Sequence, residues 1–164
     1  MRNHVLASLL AACFCLATPL GAQNEGKFIQ AELQTPIKAK RAKPGERVKA
    51  KTVGSVTLPN GVKVSAGETV FGEVTAAEAN SVSIVFDQIE IDGKKTPMKL
   101  FVRAAMMPGG DPAKQGEAVP VGAVIGMDGV TLQTDDGPRH ATKFQSSGKE
   151  LQLKTGLQLM LGAE

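Results

Sequence analysis

Hydrophobic and polar residues alternate with a period of two along most of the chain beyond Gly26, and no amphipathic pattern of three helical turns interrupts them. The clearest run is Ser81 to Ile91. It sets Val82, Ile84 and Phe86 against Ser83, Val85 and Asp87 and continues through Ile89 and Ile91. After Asp92-Gly93 the chain returns over Lys95 to Met106, with Met98, Leu100 and Val102 on one face and Lys99, Phe101 and Arg103 on the other. Asp-Gly supplies the positive φ angles of a two-residue turn, so this stretch predicts a hairpin. Gly26 to Gln34 alternates Ile29, Ala31 and Leu33 with Phe28, Gln30, Glu32 and Gln34, until Thr35-Pro36 bends the strand. Leu58-Pro59-Asn60-Gly61 predicts a second two-residue hairpin turn, and Ser65-Ala66-Gly67-Glu68 a further turn. Thr69 to Ala76 follows as a strand with Val70, Gly72 and Val74 on one face. A glycine inside a strand predicts a bulge or a close backbone approach.

Residues 107–120 break the pattern. Pro108, Gly109, Gly110, Pro112, Gly116 and Pro120 punctuate a stretch with few apolar residues, which predicts an exposed loop. Strands are then expected at 119–126, 130–134, 139–145, 150–153 and 157–161. About ten short strands at regular spacing predict an all-β domain over 23–164, folded as a single β-barrel or sandwich.

One unit occurs twice. Val62, Val64, Gly67 and Val70 recur in kind as Leu151, Leu153, Gly156 and Leu159, each pair 89 residues apart. Each copy ends on a glycine, Gly72 and Gly162, with one residue more in the second. The two copies are expected to be structural counterparts in one sheet.

The first residues read differently. Met1-Arg2-Asn3-His4 is a positive head, Val5 to Ala17 an apolar run, and Leu20-Gly21-Ala22 offers a small residue before Gln23. This layout predicts a cleavable signal peptide over 1–22, an exported protein of the periplasm or cell envelope, and no membrane span after cleavage. Leu10-Ala11-Ala12-Cys13 has the outline of a lipobox, but the apolar run before Cys13 is very short, so a signal peptide is expected rather than a lipid anchor. Cys13 and Cys15 are the only cysteines, and the processed chain is expected to lack disulfides.

Aromatic residues make up 4% of the chain, all phenylalanine, with no Trp or Tyr. Sugar platforms and membrane girdles use Trp and Tyr for their polar edge, so both readings lose weight. Beyond the leader there is one histidine, His140. With Asp135, Asp136, Ser146 and Ser147 it supplies the residue types of a triad, but these cluster around one turn and no nucleophile elbow is present. One histidine without cysteine does not make a zinc site. Asp128, Asp135 and Asp136 could contribute to a calcium site, although Asp-Gly is ordinary turn chemistry. No catalytic residue, cofactor or metal is therefore expected.

Charge singles out one segment. Between Ile37 and Lys51, Lys38, Lys40, Arg41, Lys43, Arg47, Lys49 and Lys51 face only Glu46. Arg47, Lys49 and Lys51 alternate with Val48, Ala50 and Thr52, which sends three cations off one face of a strand. Two readings stand: a solvated face or lysine-protected edge strand, or a basic patch for an anionic envelope molecule. Nucleic acid is not expected, since no aromatics interleave with the lysines. Residues 27–63 hold nine basic and two acidic side chains, and 64–137 hold five and eleven, a split suited to head-to-tail association or to mutual neutralisation.

The order of AELQTPI, PGERVKAKT, the Val64 to Gly72 unit and SVSIVFDQIEIDGKK, closed by LQLKTGLQLMLG, resembles the C-terminal β-barrel-like domain of the outer-membrane-complex scaffold subunit of conjugal-transfer (type IV) secretion systems. It also resembles small exported bacterial proteins that carry the pattern as a stand-alone domain. Those scaffold subunits have a transmembrane anchor, a proline-rich spacer and a helical insertion, for which this sequence offers no counterpart. The resemblance implies a β-barrel-like envelope domain. The expected function is an exported, non-enzymatic structural or protein-interaction module that meets an envelope protein, or a copy of itself, through its basic strand and sheet edges. The alternatives are a binding module for an anionic envelope molecule through 38–51 and an accessory protein of a secretion complex.

Overall fold

The computed structural model describes residues 28–108, 120–135, 137–148 and 150–164. The expected signal peptide and most of the 107–120 loop lie outside the described residues.

Among the described residues thirteen strands form the domain and there is no helix. Six of them close a barrel: β1 (Phe28–Leu33), β3 (Arg47–Thr52), β6 (Thr69–Glu78), β7 (Ser81–Ile91), β8 (Lys94–Met106) and β13 (Gln158–Ala163). The order is β7-β6-β3-β1-β13-β8, every pair is antiparallel, and β8 returns to β7. The domain is thus an all-β barrel, the first of the two expected architectures. Inward positions carry the alternation read from the sequence. Ile29, Ala31 and Leu33, Val48 and Ala50, Val70 and Val74, and Leu100 and Val102 are all buried in one core. Each fully buried large aliphatic or aromatic side chain contributes roughly 1.5–3 kcal/mol, enough in sum to hold the barrel by packing.

Two small pairs plug the barrel ends. β2 (Ile37–Lys38) follows β1 and pairs with β12 (Gln152–Leu153); β4 (Val56–Thr57) follows β3 and pairs with β5 (Lys63–Val64). Because β1 and β3 run antiparallel, the pairs sit at opposite ends. They bury Ile37, Ala39, Leu151 and Leu153 at one end and Val56, Leu58 and Val64 at the other. The registers match. Ile37 faces Leu153 as Val56 faces Val64, and Ala31 faces Leu159 as Ala50 faces Val70. Gly156 and Gly67, both at positive φ, donate to the last residues of β1 and β3, at the Leu33 and Thr52 carbonyls. The 62–72 and 151–162 units are structural counterparts, as expected. Their partners form a second repeat, in which β1-β2 corresponds to β3-β4 at an offset of 19 residues. The barrel therefore has an internal pseudo-two-fold.

The terminal glycines of the two units are not equivalent. Phe28 faces Gly162 where Arg47 faces Glu73, so Gly162 corresponds to Glu73 and Leu161 to Gly72. Gly72 points inward beside a bulge, and a Cβ there would lie 2.4 Å from the Val85 carbonyl oxygen. Gly162 alternates with fully buried Leu161 and points outward beneath the Phe101 ring.

The barrel wall has one seam. β7 pairs with β8 only from Phe86 onward; its first half pairs instead with β11 (Thr142–Ser146), which carries β10 (Val130–Thr134). The freed end of β8 takes β9 (Ala123–Ile125) in parallel. Parallel neighbours need a connection of about a dozen residues or more, which the Pro/Gly-rich segment supplies. Between the diverging strands, Phe144 enters the core and the hydroxyls of Thr142 and Thr134 take the Val102 backbone, at 3.1 and 3.3 Å.

The two hairpin turns that the sequence predicts differ in type. Asp92 and Gly93 both adopt positive φ, as the two-residue hairpin requires. At Leu58-Pro59-Asn60-Gly61 only Gly61 does, and its N–H donates to the Leu58 carbonyl. Pro59 holds φ near −65° at the first central position, which selects a type I turn with a glycine bulge instead of the mirror-image turn.

Candidate functional site

The seven cations of the basic segment divide into two groups. Lys38 ends β2, and Lys40, Arg41 and Lys43 lie on the rim loop after it, all four exposed. That loop begins with a turn in which the Arg41 and Ala42 N–H groups both donate to the Lys38 carbonyl. Glu46 closes it by accepting from the Lys43 N–H at 3.2 Å. Pro36, Lys38, Arg41, Ala42 and Glu46 line a shallow recess of about 210 Å³.

Arg47, Lys49 and Lys51 stand on the outer wall of β3, exposed, while Val48, Ala50 and Thr52 face inward. The expectation of a lysine-protected edge strand is corrected here. β3 is paired with β6 from Arg47 to Lys51 and bonded on its other side from Lys49 onward, to β1 and the Gln34-Thr35 backbone, so Lys49 and Lys51 have no edge to defend. For the same reason the barrel wall offers no open ladder for self-association through this part of β3. β10 and β9, the ends of the ladder order, lie beside each other.

The wall around β3 is not uniformly positive. Lys51 faces Glu32 on β1 and Thr69 on β6, and Thr69 leads across to Glu90 and Lys95. Arg47 faces Glu73. Glu73 is taken by Arg139, whose guanidinium it holds above its ordinary pKa through their hydrogen bond and its charge. Between these rows lies Phe71, opposite Lys49 on one side and Gln88 on the other. The ammonium of Lys95 sits 4.7 Å, and that of Lys49 5.9 Å, from the Phe71 ring centroid. Among the described residues neither lysine has a carboxylate within salt-bridge distance.

Phe71 and Lys95 were not among the residues singled out by sequence. Lys49 and Phe71 meet only through the β3–β6 register, and Lys95 only through the Asp92-Gly93 hairpin. The signal was present in part, since that hairpin alone sets Lys95 against Glu90.

The residues considered for chemistry lie elsewhere. His140, at positive φ in the turn before β11, bonds Glu164 through Nε2 at 2.9 Å and lies beside Phe101. Asp135 caps its own turn by accepting from the Gly137 N–H at 3.0 Å, and Asp128 is exposed before β10. Asp136 lies outside the described residues. Among those described, no three His, Cys, Asp or Glu side chains gather as metal ligands, and no helix is long and apolar enough to cross a membrane. The Ser146 side chain is buried on β11, two strand positions beyond Phe144.

Comparisons with protein-family models, with curated proteins and with solved structures give no match.

Proposed function

We propose that this chain is a non-enzymatic interaction module of the cell envelope whose contacts are made by side chains of its outer wall around β3. The observation that carries this reading is the position of Arg47, Lys49 and Lys51. All three are exposed, and Lys49 and Lys51 stand where β3 is bonded on both sides, so edge protection does not explain them. Export to the envelope rests on the signal-peptide layout of residues 1–22.

The triple charge reversal Arg47→Glu, Lys49→Glu and Lys51→Glu tests it. Cross-linking in envelope extract is expected to capture a partner with the natural protein and to lose it with the variant, at unchanged melting temperature. Equal capture by both proteins would refute the reading.

A second reading, binding of a small anionic envelope molecule, draws on the recess between Lys38 and Arg41. Binding there would fall steeply with salt, since exposed charges are screened within about 8 Å at physiological ionic strength. An accessory role in a secretion complex rests on the sequence resemblance alone.

A further inference from the structure

The pseudo-two-fold provides an internal control for the outer wall. Each position around β3 has a counterpart around β1 with the same backbone pairing. Arg47, Lys49 and Lys51 correspond to Phe28, Gln30 and Glu32; Phe71 corresponds to Met160, and Glu73 to Gly162. The fold thus tolerates a neutral or acidic side chain at every site where β3 carries a cation. The Lys49–Phe71 pair is therefore not a requirement of the barrel.

With Lys95, that pair also concentrates like charge. Two ammonium groups share one aromatic ring, and among the described residues neither is within salt-bridge distance of a carboxylate, although Glu90 faces Lys95 across the hairpin. An exposed cation–π contact contributes only about 0.5–1 kcal/mol, so either lysine can leave the ring for an anion. The ring would then be uncovered between two cations.

From this we infer that Phe71, Lys49 and Lys95 form the anchor point of the wall, and that its occupant is an acidic protein segment carrying an apolar side chain flanked by carboxylates. The inference rests on the interaction reading of the β3 wall. Charge complementarity selects a protein rather than a lipid surface. Glu32, Glu73 and Glu90 interleave with the cations, so a uniformly anionic membrane would be repelled, whereas a protein segment with carboxylates only beside its apolar residue can meet Lys49 and Lys95 without facing the glutamates. Closure of the barrel leaves this contact to side chains, without strand addition.

The test uses the whole protein and three probes. The first is a fluorescent peptide with one aspartate on each side of a central phenylalanine and otherwise neutral residues. The second is the same peptide with alanine at the centre, and the third is vesicles of phosphatidylglycerol. The phenylalanine peptide is expected to bind roughly tenfold tighter than its alanine twin, as burial of one ring against another should provide. Phe71→Ala is expected to erase that difference at unchanged melting temperature, and Lys49→Gln with Lys95→Gln to weaken both peptides. Equal affinity for the two peptides, an unaffected Phe71→Ala variant, or vesicle binding that survives competition by either peptide would each overturn the inference. If charge reversal on β3 abolishes envelope capture while Phe71→Ala leaves it intact, the anchor falls and the wall remains.

Discussion

Two glycines separate backbone necessity from side-chain convenience. A methyl group at Gly72 would meet the Val85 carbonyl oxygen at 2.4 Å and the buried Phe86 ring at 2.8 Å, neither of which can retreat. At Gly162 the clash is with the far end of Phe101, a ring on the outer face that can swing away. Gly72→Ala is therefore expected to lose about 1–3 kcal/mol, the usual range for overpacking a filled core. Gly162→Ala should lose distinctly less. Urea unfolding of the two variants side by side measures the difference, and equal losses would contradict the assignment of faces. The special standing of Gly72 was legible, because a glycine in an otherwise apolar strand asks for a bulge or a close approach, and both occur. Its equivalence to Gly162 was not real. The extra residue in the second unit moves that glycine to the opposite face, and only the cross-strand register reveals the shift.

At the level of strands, the seam between β7 and β8 is held by side chains doing a ladder's task. The buried Val102 N–H donates to Thr142 Oγ1 and its carbonyl accepts from Thr134 Oγ1, where no neighbouring strand reaches. Thr142→Val keeps the shape and strands the N–H, which costs about 1–3 kcal/mol for a buried unsatisfied donor. Thr142→Ser should recover most of the loss. Amide hydrogen exchange at Val102 is expected to be slow in the natural protein, and to accelerate with valine and not with serine. The hairpin of β7 and β8 could be read directly from alternation and Asp92-Gly93. Its bulge could also have been read, since inward residues run Val82, Ile84, Phe86 and then Ile89, a slip of one position at Asp87. The splitting of β7 between two partners could not. It depends on Phe144, Leu132 and two threonines that are distant in sequence, and alternation says nothing about which strand lies alongside. The parallel placement of β9 was hidden for the same reason.

For the whole molecule, the all-β class followed from period-two patterning. Closure into a barrel rested on pairings that no local pattern encodes. The 89-residue repeat pointed to two equivalent units, but the second unit borrows β1 and β2 from the other end of the chain, and the offset of 19 is too short and too degenerate to stand out alone. The basic stretch was visible as a run of charge. Its division between rim and wall, and the glutamates threaded through it, belong to registers. Four of the ladders, β1–β13, β7–β11, β2–β12 and β8–β13, join residues more than fifty positions apart, which places the domain among slow-folding topologies. Refolding from urea is expected on a millisecond-to-second timescale; microsecond refolding would not fit this wiring.

The pairing of β1 with β13 carries a consequence for how the molecule comes into being. A chain emerging from a ribosome, or threaded through a pore from its first residues, offers β1 long before β13. The stretch from β3 to β7 can zip neighbour to neighbour as it appears, but β1 keeps one side bare until the last strand is out. Until then the leading strand stays available for threading or for a chaperone, and final closure waits on arrival of the tail.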